Sequence, residues 1–442
     1  MDSEKDMQEN DRKLWEDGLA IVRALESAGY RAYLVGGCVR DRWLGRPLND
    51  IDIATSAKPE AVMELFGRTL PTGLKHGTVT VMEGGCPFEV TTFRRESGYS
   101  DGRRPDEVAF VDDLNEDLAR RDFTFNAMAF SSEGELIDPY GGQDALRAGV
   151  VDCVGDAAER FGEDALRMVR AIRFAAELGF DILPDVWDGI VGQRNRLKQV
   201  AVERISAEWD KMMGGSGPEQ AMHYLFKSGL LAYVKEPLPE AFAQAAERYR
   251  LNGSPREWDP WGASASDEAT LGSLLALPAL LETDRRWAAL LAGMHVGAED
   301  ASALLRTLRI GGHRAARIAS AAGVFERLVG CEEAELRSVW IEAVLACGRP
   351  AAEDALAIRE AVGEPCEELR EWLEAMPIAT VAELDVKGDE LAAYLGRTPG
   401  PWIAETLRRL LAETASGRLP NEKFALLSAA KQTRAPEREG RG

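Results

Sequence analysis

The sequence contains few of the residues that build zinc sites or disulfide-stabilised domains. Six cysteines are scattered along 442 residues without a Cys-x-x-Cys pair, and only four histidines accompany them. A structural zinc site needs clustered Cys and His ligands, and a disulfide framework needs regularly spaced cysteines. Neither is therefore expected.

The sequence also lacks a long apolar run and an excess of positive charge. No apolar stretch approaches the roughly 18 residues of a membrane span, and the N-terminus has no signal-peptide pattern. These features predict a soluble cytoplasmic protein. The formal net charge is −21, whereas nucleic-acid-binding domains are commonly basic. Arginines are nevertheless clustered locally, so the net charge alone does not exclude an RNA partner.

The most informative stretch is LVGGCVRDRWLGRPLNDIDI at residues 34–53. It joins an apolar strand, a turn at Gly36 and Gly37, and the start of a helix. Glycine has no Cβ, so the backbone of this turn can approach a ligand closely. The free N–H groups at the start of the following helix suit a phosphate group.

Two aspartates follow on a second predicted strand. Asp50 and Asp52 alternate with Ile51 and Ile53. Because side chains alternate along a strand, both carboxylates are expected on one face and both isoleucines in the core. Paired carboxylates near a phosphate-binding turn suit Mg²⁺ and a nucleoside triphosphate. An isolated Asp-x-Asp is more often plain polar surface, so this interpretation depends on the motifs that follow.

Secondary-structure patterns divide the chain into a mixed first third and a helical remainder. Segments rich in Val, Ile, Thr and Phe predict strands at 31–35, 51–54, 78–82, 88–93 and 124–130. Helices are predicted among them at 12–28, 40–44 and 59–66. Beyond about residue 144, helical spacing of apolar residues predicts helices at 165–178, 202–213, 219–231, 285–294, 315–328, 333–346, 351–362, 367–376 and 402–415. An irregular loop or insertion is expected at 235–272 and a mobile tail at 432–442.

A second motif is EDLARRDFTFNAMA at residues 116–129. Arg120 and Arg121 offer planar groups with several donors for phosphate oxygens, and Asp122 can hold one of them in place. Asn126 both donates and accepts hydrogen bonds, which suits a ribose hydroxyl. For this motif alone, a solvated Arg-Arg pair and an Asn that caps a turn are the commoner alternative.

A third motif is EDALRMVRAIRF at residues 163–174. On a helix, Asp164, Arg167, Arg170 and Arg173 would form one stripe because they are three residues apart. Cytosine and adenine both place an amino donor beside a ring-nitrogen acceptor, and uracil and guanine reverse that order. A carboxylate that accepts from the amino group and an arginine that donates to the ring nitrogen would therefore select C and A. The alternative is an ordinary surface ion pair.

The segment FRRESGYSDGRRP at residues 93–105 reads as a loop. Its Gly, Ser, Asp and Pro content predicts a mobile connection between strands. Because it lies between the strand at 88–93 and the Arg-Arg-Asp motif, it is expected to gate the site. A plain surface loop is the alternative.

Taken in order, these segments resemble the class II bacterial tRNA nucleotidyltransferases, or CCA-adding enzymes, of the DNA polymerase beta nucleotidyltransferase superfamily. The resemblance rests on LVGGCVRD, NDIDIAT, PTGLKHGTV, FEVTTFR, DGRRP, EDLARRDFTFNAMA, IDPYGG and FGEDALRMVRAIRFAAELGF, which run almost unbroken from about residue 30 to 215. The C-terminal half resembles the family more weakly, as a helical body and tail.

The resemblance implies an α+β molecule in four parts. A polymerase-beta-like nucleotidyltransferase head, with a mixed sheet and helices, would occupy residues 1–148. An all-helical remainder would follow, with a neck for base selection at 149–216, a body at 217–310 and a tail for tRNA binding at 311–442.

The resemblance also implies a role for each motif residue at the reaction centre. Asp50 and Asp52 would bind the catalytic Mg²⁺ ions, and Glu89 would be a third carboxylate. Gly37 and Arg40 would contact the triphosphate.

The other motif residues would bind the rest of the nucleotide. Arg121 would contact its phosphate or sugar, and Asn126 would lie near the ribose. Asp164 and Arg167 would read the edge of the base. Two further arginines, Arg170 and Arg173, would support that site and the triphosphate.

The implied activity is template-independent addition of C, C and A to the 3′ end of tRNA from CTP and ATP. The 3′ hydroxyl would attack the α-phosphate and pyrophosphate would leave, with two metal ions assisting. The body and tail would bind the acceptor stem of tRNA by its backbone and shape. No covalent intermediate is expected, because no Ser, Cys or His in these motifs has a base and an orienting group around it.

Several alternatives remain open. CC-adding enzymes, A-adding enzymes and poly(A) polymerases share these motifs, but CC-adding enzymes typically lack the loop around 101–105, so its presence favours an enzyme that can add A. A non-catalytic RNA-binding module is disfavoured because both Asp50 and Asp52 are present. A small-molecule nucleotidyltransferase is disfavoured by the long helical part beyond residue 215.

Overall fold

The computed structural model describes residues 2–97, 107–251 and 268–432. They fall into two compact units, which divide between residues 237 and 238. The strands are β1 Ala32–Val35, β2 Asp52–Thr55, β3 Thr69–Gly73, β4 Thr78–Glu83, β5 Cys86–Thr92, β6 Arg94–Ser97, β7 Glu107–Phe110, β8 Ala129–Phe130, β9 Leu136–Ile137, β10 Val150–Val151 and β11 Asp181–Ile182.

A seven-stranded mixed sheet dominates the first unit, in the order β3-β4-β5-β2-β1-β8-β9. Strand β2 pairs in parallel with β5 and antiparallel with β1. Its Ile53 and the neighbouring Leu34 and Val90 are fully buried, and Ile51 is 1% exposed. The prediction that Ile51 and Ile53 lie in the core is therefore confirmed.

Helices cover this sheet and continue beyond it in the first unit. They are α1 Asp2–Ser27, α2 Gly37–Trp43, α3 Pro59–Leu65, α4 Leu114–Ala119, α5 Gly142–Ala148, α6 Ala157–Glu163, α7 Leu166–Leu178, α8 Pro184–Gln193, α9 Val202–Gly214 and α10 Pro218–Ser228. A buried aromatic cluster joins α7 to the Arg-Arg-Asp motif. The ring of Phe174 lies edge-on to Phe123 at 5.7 Å and to Phe125 at 5.5 Å.

This cluster explains why the strand predicted at 124–130 is wrong over most of its length. Residues 124–130 form a 3₁₀ turn, Thr124–Asn126, before the short strand β8. Hydrogen bonds within the turn replace pairing with a neighbouring strand here. The N–H of Asn126, for example, donates to the carbonyl of Phe123 at 2.9 Å. The phenylalanines pack on α7, so the chain joins the sheet only at β8.

The second unit is helical throughout its described residues. Its helices are α11 Glu240–Leu251, α12 Glu268–Ala276, α13 Thr283–Gly293, α14 Ala298–Thr307, α15 Gly312–Leu328, α16 Leu336–Cys347, α17 Arg349–Ala361, α18 Glu367–Ala375, α19 Gly388–Leu395, α20 Trp402–Ala415 and α21 Lys423–Gln432. Buried cores include one around Trp340 and another around Leu410. Within the described ranges, every helix is too short or too polar to span a lipid bilayer.

The irregular loop predicted at 235–272 is confirmed at 235–239 but wrong at 240–251 and 268–272, which are helical. Helix α11 buries Phe242, Ala245, Ala246 and Tyr249, one face of a helix. The Pro, Gly and Trp residues around it obscured this pattern in the sequence. Residues 252–267 and 433–442, which carry the rest of that prediction and nearly all of the predicted mobile tail, lie outside the described residues.

The α+β fold class is confirmed, because a mixed sheet precedes a mostly helical remainder. One small exception is the parallel two-stranded pairing of β10 with β11, which lies in the region expected to be all helical. The four-part division at residues 148, 216 and 310 stays a prediction.

Candidate active site

The turn between β1 and α2 brings several predicted site residues together. Gly36 has a φ of 76°, a left-handed conformation that glycine adopts without strain. A Cβ atom there would lie 2.8 Å from Nη1 of Arg121 and 3.8 Å from Oδ2 of Asp52. Gly37 begins α2, and a Cβ atom on it would lie 3.6 Å from Nη2 of Arg40. The missing side chain of Gly36 therefore lets Arg121 lie against the turn, whereas a Cβ at Gly37 would make only an ordinary contact.

The predicted carboxylates also converge, but not all on one strand. Asp52 is the first residue of β2, and its partner in the parallel strand β5 is Glu89. Asp50 lies before the strand and is exposed, so the prediction that both aspartates share a strand is wrong for Asp50. Pairing with β1 reaches only Val35–Asp52, because the chain leaves the sheet at the Gly36 turn.

The carboxylates of Asp50 and Glu89 add negative charge around Asp52. Burial raises the pKa of Asp52 to about 6, helped by the charges of Asp50 and Glu89 and opposed by Arg121. The described residues contain no ready-made cluster of three or more His, Cys, Asp or Glu side chains with metal-binding geometry. The donor set nevertheless fits a divalent cation, because hard carboxylate oxygens suit such ions and a cation would lower the raised pKa of Asp52.

Arg40 and Asn126 form a buried link beside the turn. Nη1 of Arg40 donates to Oδ1 of Asn126 at 2.7 Å, and its Nε and Nη2 donate to Asp41 at 2.9 and 2.8 Å. Nδ2 of Asn126 donates to Oδ1 of Asp122 at 3.1 Å. Both polar atoms of the Asn126 side chain are thus engaged, so a ribose contact would use its second N–H or its second lone pair.

Asp122 connects this link to α7. Its Oδ2 accepts from Nε and Nη2 of Arg170 at 2.8 and 2.6 Å. Burial alone would raise the pKa of Asp122, but the charges of Arg170 and Arg167 and the hydrogen bond from Asn126 hold that pKa well below its usual range. Asp122 is therefore ionised and links two motifs. The prediction that it holds Arg120 or Arg121 is wrong, because its carboxylate pairs with Arg170 while Asp117 pairs with both of those arginines.

Arg121 lies beside Asp52 with long, weak contacts. Its Nη1 donates to the carbonyl of Asn126 and its Nη2 to Oδ2 of Asp117, both at 3.3 Å. Its buried Nε has no hydrogen-bond partner. Arg120, by contrast, is fully engaged by Asp117 and Glu96. Of the two arginines, Arg121 is therefore the one placed and available to contact an anionic ligand.

The prediction that Asp164 shares a helical stripe with the three arginines is wrong, whereas its base-reading role stays a prediction. Asp164 ends α6 in an extended conformation, and α7 begins only at Leu166. The N–H of Leu166 donates to Oδ1 of Asp164 at 3.0 Å, and Nη2 of Arg204 donates to its Oδ2 at 2.8 Å. Arg204 was missed because nothing local in the sequence pairs it with a residue forty positions earlier.

The three arginines of the stripe do lie on α7. Arg167 donates to Oε2 of Glu163 and to the carbonyl of Arg120, both at 2.7 Å. Arg173 donates to Glu208 at 2.5 Å and to Glu177 at 2.6 Å. Each of the three guanidinium groups donates hydrogen bonds to a carboxylate or a carbonyl oxygen. These bonds hold the polar side chains on this face of α7 in place.

The predicted gating loop is only partly described. Residues 94–97 form β6, which pairs antiparallel with β7, so the start of the segment is a strand. Residues 98–106 lie outside the described residues. The gating role stays a prediction.

Known protein families and individual proteins match most of the chain. Family models match at residues 32–152 (poly A polymerase head domain), 179–242 (probable RNA and SrmB-binding site of polymerase A) and 280–430 (tRNA nucleotidyltransferase domain 2). A CCA-adding enzyme of Geobacillus stearothermophilus is 37% identical over 429 residues, 95% of this chain and 98% of the relative. Another, from Geobacillus kaustophilus, is 38% identical over 92% of this chain and 95% of the relative.

The chain belongs to the CCA-adding enzyme family. It is an enzyme of the tRNA nucleotidyltransferase type, as the resemblance implied. Such nucleotidyltransferases generally use a divalent metal ion, which agrees with the carboxylates found here.

Solved structures of CCA-adding enzymes share the architecture. The crystal structure of the Bacillus stearothermophilus CCA-adding enzyme in complex with CTP has a TM-score of 0.73 and 34% identity, covering 95% of this chain and 97% of that one. The Thermotoga maritima CCA-adding enzyme complexed with tRNA has a TM-score of 0.62 at 20% identity, covering 96% of each chain. The second likeness shows the fold alone, and both agree with a nucleotidyltransferase head and a helical remainder.

Proposed function

We propose that this chain adds C, C and A in turn to the 3′ end of tRNA, with CTP and ATP as substrates and pyrophosphate as the product. The observation that carries the proposal is the convergence of Asp52, Arg121 and the Gly36 turn, which Asn126 and Asp122 connect to α7. The likeness to CCA-adding enzymes along nearly the whole chain supports it. Since tRNA is the proposed substrate, we place the activity in the cytoplasm.

The reaction needs a place for phosphates and for positive charge. Asp50 and Asp52, with Glu89 beside them, would hold Mg²⁺. The bound cation would neutralise charge on the α-phosphate and favour ionisation of the attacking hydroxyl. Arg121, which lies on the same side of Gly36 as Asp52, would contact the phosphate or sugar of the nucleotide.

The triphosphate would lie over the turn that begins α2. Gly37 lets the backbone approach it, and Arg40, held by Asp41 and Asn126, would present a fixed positive charge. The 3′ hydroxyl oxygen of tRNA then attacks the α-phosphorus, and the bond to the β-phosphate breaks. Fixed groups of this kind accelerate the reaction because they are oriented before the charge develops.

Base selection would occur between α6, α7 and α9. Asp164 would accept from the amino group of C or A, and Arg167 would donate to the ring nitrogen. Arg204 and the N–H of Leu166 already hold the carboxylate of Asp164 in one orientation, and Glu163 holds Arg167. Arg170 and Arg173 would support this surface from the next turns of α7.

Extension of three tRNA transcripts tests the proposal. They end before CCA, after C and after CC, and each is incubated with Mg²⁺ and with CTP, ATP or both, beside an Asp50→Ala/Asp52→Ala control. The proposal predicts that the shortest transcript gains three nucleotides and then stops, and that the control is inactive. Extension of only the CC-ended transcript would mean an A-adding enzyme, and unlimited A addition would mean a poly(A) polymerase.

A further inference from the structure

Glu177, in the last turn of α7, accepts hydrogen bonds from Arg46, Arg173 and Ser216. Nη1 of Arg46 donates to its carbonyl at 3.0 Å, and Nη2 of Arg46 donates to its Oε1 at 3.2 Å. Its Oε2 accepts from Nη1 of Arg173 at 2.6 Å. Ser216, just after α9, donates to the same carbonyl at 2.9 Å. None of these roles follows from the sequence motifs.

Arg46 lies on the connection from α2 to β2, which leads directly to Asp50. Its Nε also forms an ion pair with Oδ1 of Asp41 at 3.7 Å. Asp41 is the carboxylate that fixes the guanidinium of Arg40. Arg46 therefore joins α7 to the same turn that carries the proposed triphosphate contact.

Side-chain hydrogen bonds connect the catalytic turn to α7 along two routes. One runs from Arg40 through Asn126 and Asp122 to Arg170. The other runs from Arg46 to Glu177, about two helical turns, or roughly 10 Å, further along α7. The guanidinium of Arg40 also lies over the ring of Phe174 between these two positions, so the Arg46–Glu177 contact adds a fixed point near the C-terminal end of the helix.

We propose that Arg46 and Glu177 are positioning residues that set the orientation of α7, and so of the base-reading surface, relative to the catalytic aspartates. This inference rests on the proposed function. The side chains of Arg46 and Glu177 are 34% and 27% exposed, and ion pairs this accessible contribute little to stability. Loss of the pair is therefore expected to change the alignment of base and phosphate more than the folding of the chain.

Four variants of the full chain test the proposal: Arg46→Met, Glu177→Gln, the double variant and the conservative Arg46→Lys. The measurements are kcat and KM for CTP on tRNA lacking CCA, the preference for CTP over UTP, and the melting temperature. Arg46→Met is expected to lower kcat and the CTP preference by about 10- to 100-fold, because a misalignment of about 1 Å is that costly, while KM changes little. The double variant should lose less than the product of the two single losses, because both changes remove the same contact. Arg46→Lys keeps the charge but not the paired contacts, so it should lose less than Arg46→Met.

A second, exposed ion pair outside the proposed binding regions serves as the control. Arg23 and Glu16 on α1 are joined at 3.9 Å, with exposures of 53% and 59%. Arg23→Met should leave kcat and the CTP preference at the wild-type level.

The outcomes separate this inference from the proposed function. An active wild type whose Glu177→Gln and Arg46→Met variants keep wild-type kcat and CTP preference, and differ only in melting temperature, would overturn the inference alone. A folded wild type that does not extend tRNA would refute the proposed function and the inference with it. If Arg46→Met does not fold, Glu177→Gln decides: a loss of kcat and CTP preference supports the inference, and wild-type values overturn it.

Discussion

Asp122 accepts two hydrogen bonds from one guanidinium, that of Arg170, at 2.8 and 2.6 Å. The pair joins the Arg-Arg-Asp motif to α7, and Asn126 extends it to Arg40. Residues that the sequence places in three separate motifs thus form one connected network. Substitutions that change the charged residues of this network test it directly.

Asp122→Asn should destabilise the protein, because it leaves Arg170 without its carboxylate. The expected loss in free energy of unfolding is about 2 kcal/mol, the range for a partly buried hydrogen-bonded charge pair. Urea unfolding followed by circular dichroism measures it. Asp144→Asn removes the exposed Asp144–Arg147 pair and should cost less than about 1 kcal/mol. Equal losses in the two variants would contradict the role given to Asp122.

Changes at Asp164 and Arg204 should alter base selection more than turnover with the correct base. Asp164→Asn exchanges an acceptor for a partial donor, so the preference for CTP over UTP should fall by about 10- to 100-fold, the value of one good paired contact to a base. Arg204→Met should cause a smaller loss in the same direction, because the carboxylate stays but loses its 2.8 Å partner. Single-nucleotide incorporation on tRNA lacking CCA gives both ratios. Unchanged ratios in both variants would remove Asp164 from base selection.

Magnesium should stabilise the wild type through Asp50 and Asp52. Binding to the folded state alone raises stability by about 1.4 kcal/mol when the ion is at ten times its Kd, so the melting temperature should rise by about 2 °C or more. Scanning calorimetry with Mg²⁺ and with a chelator shows the difference. The Asp50→Ala/Asp52→Ala variant should show no rise, and an equal rise in both proteins would place the ion elsewhere.

Asp354 in the second unit should make stability depend on pH in the acid range. Burial alone would raise its pKa, but hydrogen bonds from Arg317 and Arg285 lower it below the ordinary value of 3.8. The unfolded chain therefore takes up the proton first as pH falls, and the stabilisation present above about pH 4 is lost below it. Asp354→Asn and Arg317→Met should each flatten the fall of unfolding free energy between about pH 5 and 3. A wild-type slope in both variants would contradict this account.

The local parts of the site could be predicted from sequence. The strand, the Gly36 turn and the position of Asp52 depend on neighbouring residues, so their pattern is visible in a short window. The alternating isoleucines likewise fixed the core face of β2. The same reasoning failed for Asp50, because where β2 starts depends on where its partner β1 leaves the sheet.

Long-range contacts account for the rest. Asp164 lies off the helix because its own carboxylate accepts from Leu166 and because Arg204, forty residues later, holds it there. Arg46 and Glu177 are 131 residues apart, and no sequence pattern at either residue predicts a contact with the other. Spacing along one helix predicted the stripe of arginines on α7, but it gave no information about which acids would face them.

The most direct test of the central claim offers tRNA lacking CCA to the enzyme with all four nucleoside triphosphates at equal concentration and sequences the product ends. The account predicts that nearly all products end in CCA, with no further addition, because one site reads C and A and rejects U and G. Products ending in A alone, in long A tracts or in mixed nucleotides would contradict it.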